Sequence, residues 1–425
     1  MITAPPSDAM TAPSRPSVDA ARRLKVLVLS KNYPNPVLEV MGLWAEAMVR
    51  SSQKFCEPKV ISPVQYCPPV PGLPEYYTRL RTIPRKRWLN GIEVFHPRFI
   101  TGPGYSLYSI ESAAYYMAVR SLVQRLRQEF PFDLIHAHFT YPDGVVAVRL
   151  AKRFRVPVII TEQNPWGPWM DQNAIVRRQS VWAARECTFQ TALSTAARDS
   201  IARLAGESEK LRVIPNVVDE SVFTLPSNER RSNPNQIVFV GAIRPVKGVD
   251  VLLRSLRLLA DSGRDVRLVI IGESFFKAYQ NEYTRLQQMA KDLGLNDRVQ
   301  FVGKRQPPEL ARIIPESALL VLPSRAESFG TVLVEALACG TPVVATRCGG
   351  PEDIVADGMG VLVPPEDPRA LARGIAEVLD HRTAYDPHRL RAYAVEKFGL
   401  DSVGQRLARL YQEALDRSPY GSLEA

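Results

Sequence analysis

The sequence predicts an α/β protein of two Rossmann-like domains that face each other across a central cleft. Two continuous apolar runs, Leu24–Leu29 (LKVLVL) and 236–241 (QIVFVG), are each typical of a buried strand that opens a parallel sheet. A third stretch, 322–346 (LPSRAESFGTVLVEALACGTPVVAT), has the order strand, loop, helix, strand that such sheets repeat. The 425 residues suffice for two or three domains at about 150 residues each.

Composition restricts the class of protein. Hydrophobic residues make up 45% of the chain and charged residues 23%, which is ordinary for a globular protein. The five cysteines are scattered and form no C-x-x-C pair, so we expect buried thiols in a reducing compartment, without disulfides or a zinc site. Residues 1–23 are rich in Pro, Ser and Ala, do not resemble a secretory signal, and predict a disordered tail. No apolar run is long enough to span a bilayer, so the prediction is a cytoplasmic protein.

The net charge of +10, with a pI near 9.4, allows three kinds of acidic partner: nucleic acid, an anionic membrane or an acidic small molecule. No helix-turn-helix, RNA-stacking or zinc-finger pattern is present, so we expect no nucleic-acid partner. The remaining candidates are a small anionic ligand and a lipid surface.

The stretch 322–346 carries the strongest functional signal. Phe329 and Gly330 open its helix, and Gly340 ends it. A loop that leads into a helix start presents unpaired N–H groups and a positive dipole end, which suits a pyrophosphate. Because Gly330 has no Cβ, a phosphate can come close to its backbone.

Two carboxylates flank this helix start. Glu327 precedes it and Glu335 lies in the second turn. A carboxylate accepts two hydrogen bonds in one plane, which matches neighbouring sugar hydroxyls, so Glu335 suits a ribose and Glu327 a second sugar. For the bare pair, the simpler alternative is a helix-start charge and a solvated glutamate.

The whole frame is more specific than the pair. Glu327-x7-Glu335, set in SFG…EALACGTPVVAT and followed by GGPEDIV, resembles the donor-site signature of the retaining glycosyltransferases of family GT4. The resemblance covers nearly all of 24–415. It implies the GT-B fold and sugar transfer from a nucleoside-diphosphate sugar to a hydroxyl, with retention at the anomeric carbon. The donor-binding residues it implies are Phe329, Gly330, Thr331 and Glu335, with Glu327 at the transferred sugar.

The loop after the first strand shows no G-x-G-x-x-G, which disfavours an NAD-dependent oxidoreductase. Gly42 resembles the family glycine that faces the donor diphosphate, and a helix-start glycine needed only for packing is an equal alternative. Lys31 in the same loop is an acceptor-side candidate for contact with an anion.

The segment 66–99 contains RLRTIPRKRW, in which basic residues alternate with Leu80, Ile83 and Trp88. Such a segment could touch acidic lipid headgroups and hold the protein on the inner face of the membrane. A solvated loop is the favoured alternative. Residues 108–127 predict a helix.

Two histidines follow a predicted strand in FDLIHAHFTYPDG. His136 and His138 lie at its carboxyl end, where open α/β sheets bind ligands, and strand alternation puts them on one side. The family resemblance makes His138 the histidine that contacts the donor sugar, with His136 packed behind it. A strand-end histidine that bonds only to backbone is the alternative, and we find no further ligands at metal-site spacing.

After the next strand, 156–161, EQNPWGPW places Glu162, Asn164 and Trp166 at the same sheet edge. They are candidates for an acceptor pocket, because an indole face covers sugar C–H groups while polar neighbours bind hydroxyls. A loop capped by Trp166 is the alternative.

The predicted domain bounds are 24–222 for the first domain, 223–235 for a polar linker and 236–386 for the nucleotide-sugar domain. Helices in 387–425 are expected to cross back onto the first domain, as in GT-B enzymes. The stretch LRVIPNVVD resembles the family turn NGVD, with Val217 in place of its glycine.

The second domain opens with a family-like phosphate loop. Lys247-Gly248 matches the family's KG at a helix start, where a lysine adds a point charge to a phosphate site. The family arginine is replaced by Ala242, and Arg244 is the candidate substitute. The resemblance also implies that the loop from Gly303 to Arg305 lies beside the nucleobase.

These motifs predict a retaining, metal-independent glycosyltransferase. His138, Lys247, Arg244 and Glu327 form the expected catalytic set; no D-x-D cluster is visible, so we expect no metal or other cofactor. The expected donor is a UDP-sugar, with GDP-mannose second, and the acceptor a hydroxyl on a lipid-linked molecule or oligosaccharide. The expected role is the biosynthesis of a cell-surface polysaccharide or glycolipid. Two alternatives remain: a sugar-nucleotide epimerase of the same fold, and a non-catalytic sugar-nucleotide-binding protein.

Overall fold

The computed structural model describes residues 22–39, 41–102, 107–167, 170, 172–226, 233–274 and 280–420. Residues 1–21 of the predicted tail, 227–232 of the predicted linker and the last five residues of the chain lie outside the described residues.

The first half of the chain forms a sheet in the order β10-β9-β8-β7-β1-β2-β5-β4, beside a short β3–β6 pair. Its strands are β1 (Leu24–Leu29), β2 (Cys56–Ile61), β3 (Val64–Gln65), β4 (Lys86–Leu89), β5 (Ile92–Phe95), β6 (Arg98–Phe99), β7 (Leu134–His138), β8 (Val158–Glu162), β9 (Phe189–Ala192) and β10 (Leu211–Val213). Strand β4 pairs antiparallel with β5, and the other pairs are parallel. Along β1, Val26 and Val28 join one core and Leu27 and Leu29 another, so both faces of the sheet are covered.

Helices cover both faces of this sheet. They are α1 (Leu43–Ser52), α2 (Glu75–Leu80), α3 (Glu111–Glu129), α4 (Val145–Phe154), α5 (Ala174–Glu186) and α6 (Thr195–Ala205). The predicted helix 108–127 is a 3₁₀ turn, Tyr108–Ile110, followed by α3.

The second half forms a parallel sheet in the order β13-β12-β11-β14-β15-β16. Its strands are β11 (Asn233–Val240), β12 (Arg267–Ile271), β13 (Val299–Gly303), β14 (Ser317–Leu322), β15 (Val343–Thr346) and β16 (Gly360–Val363). Its helices are α7 (Val249–Asp261), α8 (Gln280–Asp292), α9 (Pro307–Glu316), α10 (Thr331–Ala338), α11 (Pro351–Ile354) and α12 (Pro368–Asp380). Two parallel sheets with covering helices are the architecture expected from the sequence.

Strand β11 starts earlier than the apolar run 236–241 that predicted it. It begins at Asn233, and Asn233 pairs with Ser317 of β14. The register shifts between Asn233 and Ile237. Polar residues extend the strand before its apolar core begins, so the apolar run alone placed the start too late.

The last two helices, α13 (Pro387–Phe398) and α14 (Leu400–Asp416), connect the halves. Helix α13 packs against α10, and α14 packs against α1. A Cβ on Gly404 would lie 2.1 Å from the carbonyl oxygen of Ser51, so glycine permits this approach. Lys54 and Asp401 form an ion pair of 2.6 Å across the same contact.

The carboxyl ends of the two sheets are joined directly. The Ser194 hydroxyl, just before α6, donates to the carbonyl of Ser328 in the second half at 2.8 Å. The Thr195 amide donates to the carboxylate of Asp353 at 2.6 Å. None of the described helices combines the length and apolar character needed to cross a bilayer.

Candidate active site

The loop from β14 to α10 forms the centre of the site. Gly330 caps α10 in the left-handed region, with φ 99°, and no side chain caps the helix. The first amides of a helix have no acceptor within it, and none of the described residues accepts from Thr331 or Val332. The start of α10 therefore offers unpaired donors and a positive dipole end.

Glu335 lies one turn further along α10. It is partly buried, as are Thr331 and Val332, and the spacing of these residues puts them on one side of the helix. Among the described residues, no group bonds to its carboxylate. Burial raises the pKa of Glu335 from 4.5 to about 7.

Phe329 faces the other way. Its side chain is 2% exposed and packs against Phe398, with ring centroids 5.7 Å apart. It can therefore reach a ligand only through its backbone, and its ring attaches the loop to the junction of α13 and α14.

Lys247 and Glu327 meet in the cleft. The Lys247 ammonium lies 2.5 Å from the Glu327 carboxylate, and both side chains are largely buried. Glu327 is held by its backbone, since its amide donates to the carbonyl of Cys348 and its carbonyl accepts from Gly350. The cation and the carboxylate therefore neutralise each other.

A backbone contact brings the two loops together. Gly248 has φ 66°, and a Cβ there would lie 2.0 Å from the carbonyl oxygen of Pro323. Arg325 adds a clamp: its guanidinium makes two 3.0 Å bonds to Asp250, and its amide donates to the carbonyl of Val246 at 2.7 Å. Bidentate pairing of this kind fixes orientation as well as distance.

Arg325 and Asp250 join the two loops of the candidate site, and the sequence did not predict this contact. They are 75 residues apart in the chain, and neither belongs to a motif that names the other. The chemistry of the side chains could have indicated the pair. An arginine in a loop that leaves a buried strand needs a hydrogen-bond acceptor, and Asp250 in the first turn of α7 can provide one.

The other donor-side candidates lie around the same edge. Arg244 is partly buried and precedes the short turn Pro245–Lys247, and its carbonyl accepts from the Lys247 amide. Gly303 ends β13 with φ 70°. Arg305 donates to the carbonyl of Lys304 at 2.9 Å and lies 3.5 Å from Glu309.

The two histidines lie side by side on β7, as the strand alternation predicted. Their ring centroids are 4.7 Å apart with an interplanar angle of 32°. His138 is fully buried; its Nδ1 lies 3.4 Å from the Gln163 amide nitrogen, and its Nε2 has no hydrogen-bond partner among the described residues. Burial, and then the neighbouring His136, hold the pKa of His138 well below 6.5, so the ring is neutral.

Gly42 starts α1 with φ 81°, and a Cβ there would lie 2.1 Å from the carbonyl oxygen of Asn32. Close packing by itself therefore demands a glycine here. The packing explanation accounts for Gly42 without any ligand, and a contact with the diphosphate stays a prediction.

The acceptor-side expectations need correction. Both oxygens of Glu162 are used: Oε1 accepts from the amides of Gln163 and Asn164, and Oε2 accepts from the amide of Thr140 and the Trp166 indole. Trp166 is 3% exposed and packs in a small core. These two side chains hold the loop together rather than line an open pocket, because each satisfies the polar group of the other.

Of the remaining candidates, Asn164 is exposed and accessible. The Lys31 ammonium pairs with the buried carboxylate of Glu111 and lies 5.9 Å from the Phe99 ring centroid. Lys31 is thus anchored by a structural partner in the ligand-free arrangement.

Two family models together match most of the chain. The model described as Glycosyltransferase Family 4 covers residues 54–222, and the model described as Glycosyl transferases group 1 covers residues 223–397. A D-inositol 3-phosphate glycosyltransferase from Thermobispora bispora is 31% identical over 314 residues, which span 67% of this chain and 72% of that protein. The chain belongs to glycosyltransferase family 4.

Other relatives extend the match. The D-inositol 3-phosphate glycosyltransferase of Acidothermus cellulolyticus is 28% identical over 365 residues, 80% of each chain. Among solved structures, Anabaena Alr3699/HepE in complex with UDP superposes with a TM-score of 0.69 at 22% identity, covering 92% of this glycosyltransferase and 100% of HepE. Sucrose-phosphate synthase from Thermosynechococcus elongatus gives 0.76 at 18% identity, covering 93% and 100%. These two structures share the GT-B fold with this glycosyltransferase.

Replacement of Glu335 by Gln should stabilise the ligand-free glycosyltransferase at pH 8. Because the folded-state pKa is raised, the folded protein retains a proton between pH 4.5 and about 7 that the unfolded chain releases. Wild-type stability therefore falls as pH rises through this window, and the Glu335→Gln change removes that loss because glutamine does not ionise. We expect the variant's gain in unfolding free energy, measured with urea, to be larger at pH 8 than at pH 5.

Glu377→Gln, at an exposed position of α12, is the matched control and should show no such pH-dependent gain. An equal difference at both pH values, or a loss of stability at pH 8, would contradict an unpartnered buried carboxylate.

Proposed function

We propose that this glycosyltransferase transfers a sugar from a nucleoside-diphosphate sugar, a UDP-sugar first and GDP-mannose second, to a hydroxyl with retention at the anomeric carbon. One arrangement carries the proposal: the Lys247–Glu327 pair lies in the same loop system as the start of α10 and Glu335, and among the described residues no side chain caps that helix start or bonds to the Glu335 carboxylate. Together these groups suit a diphosphate between two hydroxyl-bearing rings.

Binding of the donor would exchange partners in the site. The diphosphate offers Lys247 a stronger acceptor and takes the free amides at the start of α10. Glu327, released from Lys247, can then accept from hydroxyls of the transferred sugar. Glu335 can accept from the ribose hydroxyls, which supply the partner that its carboxylate lacks.

The chemical step follows from where charge develops. As the anomeric bond breaks, negative charge grows on the leaving diphosphate, next to Lys247, Arg244 and the helix start, and preorganised donors stabilise it most at that moment. The leaving phosphate oxygen takes the proton of the incoming hydroxyl on the same face, which gives retention. Glu327 is therefore assigned to sugar binding and not to nucleophilic attack.

His138 would act as a neutral hydrogen-bonding group. Its low pKa excludes a role as a cationic acid near neutral pH, while its unpartnered Nε2 remains available to a sugar hydroxyl. Trp44 is the neighbour on α1, with its ring centroid 6.2 Å from that of His138.

The acceptor is the less constrained half of the reaction. A lipid-linked molecule or oligosaccharide on the route to a cell-surface polysaccharide or glycolipid fits an exposed Asn164 at the edge of the first sheet. The names of the curated relatives support a second candidate, a phosphorylated inositol. For that acceptor, Lys31 would exchange Glu111 for the phosphate.

Labelled UDP-glucose, UDP-galactose and GDP-mannose, each with oligosaccharide, lipid-extract or inositol 3-phosphate acceptors, test the proposal. We expect transfer or slow donor hydrolysis, equal with chelator and with Mg²⁺, because Lys247 and the helix start supply the charge. An epimerised donor would indicate an epimerase, and binding without turnover a sensor. Loss of activity in chelator that Mg²⁺ or Mn²⁺ restores would refute the metal-independent step.

Replacement of Lys247 by Met should lower kcat by about a hundredfold or more, the usual effect of losing one preorganised charge. Arg244→Met should cause a similar loss if its guanidinium stabilises the diphosphate. Steady-state kinetics measure both variants, with Lys291→Met on the exposed face of α8 as the control. If both site variants keep wild-type kcat, the catalytic proposal fails and the sensor is favoured.

We further propose that the first domain docks on the inner face of an anionic membrane. Two basic residues of the predicted segment have partners within the protein: Lys86 pairs with Glu93, and Arg87 donates to the carbonyl of Pro34.

Two other arginines lie at a groove on the same side of the domain. Arg85 and Arg125 have no ion-pair partner among the described residues. They line a groove of about 510 Å³ between α3 and the β4–β5 hairpin, together with Lys86 and Arg98. Trp88 on β4 is 67% exposed.

Vesicle co-sedimentation tests this docking. Each basic residue near an anionic surface contributes about 1 kcal/mol, so Arg85→Glu with Arg125→Glu should greatly reduce binding to phosphatidylglycerol vesicles. Arg312→Glu with Arg373→Glu, two exposed arginines of the second half, should leave it unchanged. Equal binding to zwitterionic vesicles, or no effect of the groove variants, would contradict the proposal.

A further inference from the structure

Tyr411 connects the last helix to the first sheet at its centre. Its side chain is 1% exposed, and its hydroxyl lies 2.9 Å from Nδ1 of His136. The two rings also pack edge to face, with centroids 5.7 Å apart. Helix α14 thus bonds to the histidine that precedes His138 on the same face of β7.

His136 is held at both nitrogens. Its Nε2 lies 2.8 Å from the Thr161 hydroxyl, which lies 2.7 Å from the Thr191 hydroxyl. Burial lowers the pKa of His136 to about 3, so the ring is neutral and carries one N–H. A neutral imidazole donates from one nitrogen and accepts at the other, and a hydroxyl can take either role, so these two hydroxyls fix the plane of the His136 ring.

The His136 ring in turn supports His138. Their ring centroids are 4.7 Å apart, and the next ring, that of Trp44, has its centroid 6.2 Å from that of His138. The other polar contact of His138 is long, 3.4 Å from Nδ1 to the Gln163 amide nitrogen. Among the described residues, His136 therefore has the aromatic ring closest to that of His138.

We propose that Tyr411 is a positioning residue of the transfer reaction: by hydrogen-bonding His136, it sets the plane in which His138 presents its free Nε2 to the donor sugar. The proposal rests on the sugar-binding role proposed for His138. In this proposal, helix α14 near the end of the chain determines the orientation of the His138 side chain on β7, in the middle of the first sheet.

Geometry of this kind affects rate more than binding. A reacting group displaced by about 1 Å can lose about a hundredfold in rate, while most of the donor's contacts stay intact. In the proposed function, the nucleotide is held by the second half of the chain, far along the sequence from β7. The expected signature is a lower kcat at a nearly constant KM for the donor.

The test compares Tyr411→Phe with Tyr393→Phe. Tyr393 lies on α13, and its hydroxyl donates to the carbonyl of Ile354 at 2.8 Å, away from the two histidines of β7. Both variants lose one phenol hydroxyl, so a general effect on stability should appear in both. We expect kcat to fall at least tenfold in Tyr411→Phe only, with the donor KM within twofold of wild type.

A second readout does not need activity. The chain has five histidines, so ¹⁵N-histidine labelling gives few ring signals, and His136→Gln and His138→Gln assign the two of interest. Tyr411→Phe should shift the ring signals of both His136 and His138, and Tyr393→Phe should shift neither. If the protein shows no transfer at all, these spectra still test the hydrogen-bonded support, so failure of the proposed function is distinguishable.

A third comparison tests whether Tyr411 acts on the reaction through His138. In a His138→Ala background, Tyr411→Phe should cause no further loss of kcat, because residues that act as one unit are not additive. Unchanged His138 signals with wild-type kcat in Tyr411→Phe, alongside a drop in melting temperature, would reduce Tyr411 to a packing residue. A full additional loss in the His138→Ala background would overturn the proposed route through His138.

Discussion

The contact between Gly248 and the carbonyl of Pro323 is the constraint on which the site depends. It brings the loop before α7 against the loop after β14, and no side chain could fit between them. Lys247 then lies within bonding distance of Glu327, and Arg325 locks the two loops through Asp250. The site is therefore built by backbone packing first, and its charges follow from that packing.

The charged groups of the candidate site are compensated within the protein. Lys247 has Glu327, Lys31 has Glu111, and Glu335, which has no partner among the described residues, has its pKa raised towards neutrality. In the proposed function, a diphosphate sugar would replace the partner of Lys247 and supply partners to Glu327 and Glu335. Its phosphates would bond to Lys247, and its hydroxyls would bond to Glu327 and Glu335. The net free energy of binding is therefore reduced by the cost of breaking the Lys247–Glu327 pair.

The sequence predicted the elements whose cause is local. The apolar runs around Leu27 and Phe239 were expected to be buried strands, and Phe329 and Gly330 were expected to open a helix, as they do. Contacts between distant segments were not predictable in this way. Glu162 and Trp166 looked like open ligand groups, yet four hydrogen bonds close on that carboxylate. The Arg325–Asp250 clamp and the Tyr411–His136 bond join segments 75 and 275 residues apart, a pairing that only the fold determines.

The return of α14 onto α1 also bears on how the chain is made. The face of α1 that carries Ala45 and Met48 belongs to a core completed by Val403 and Leu407 of α14. During synthesis, α1 leaves the ribosome hundreds of residues before α14 does. The apolar face of α1 is therefore exposed to water, or protected by a chaperone, until α14 packs onto it. Division of the gene at the linker would give an amino-terminal fragment with the same exposed face. The two halves resemble separable modules in their sheets, but they are one unit in biogenesis.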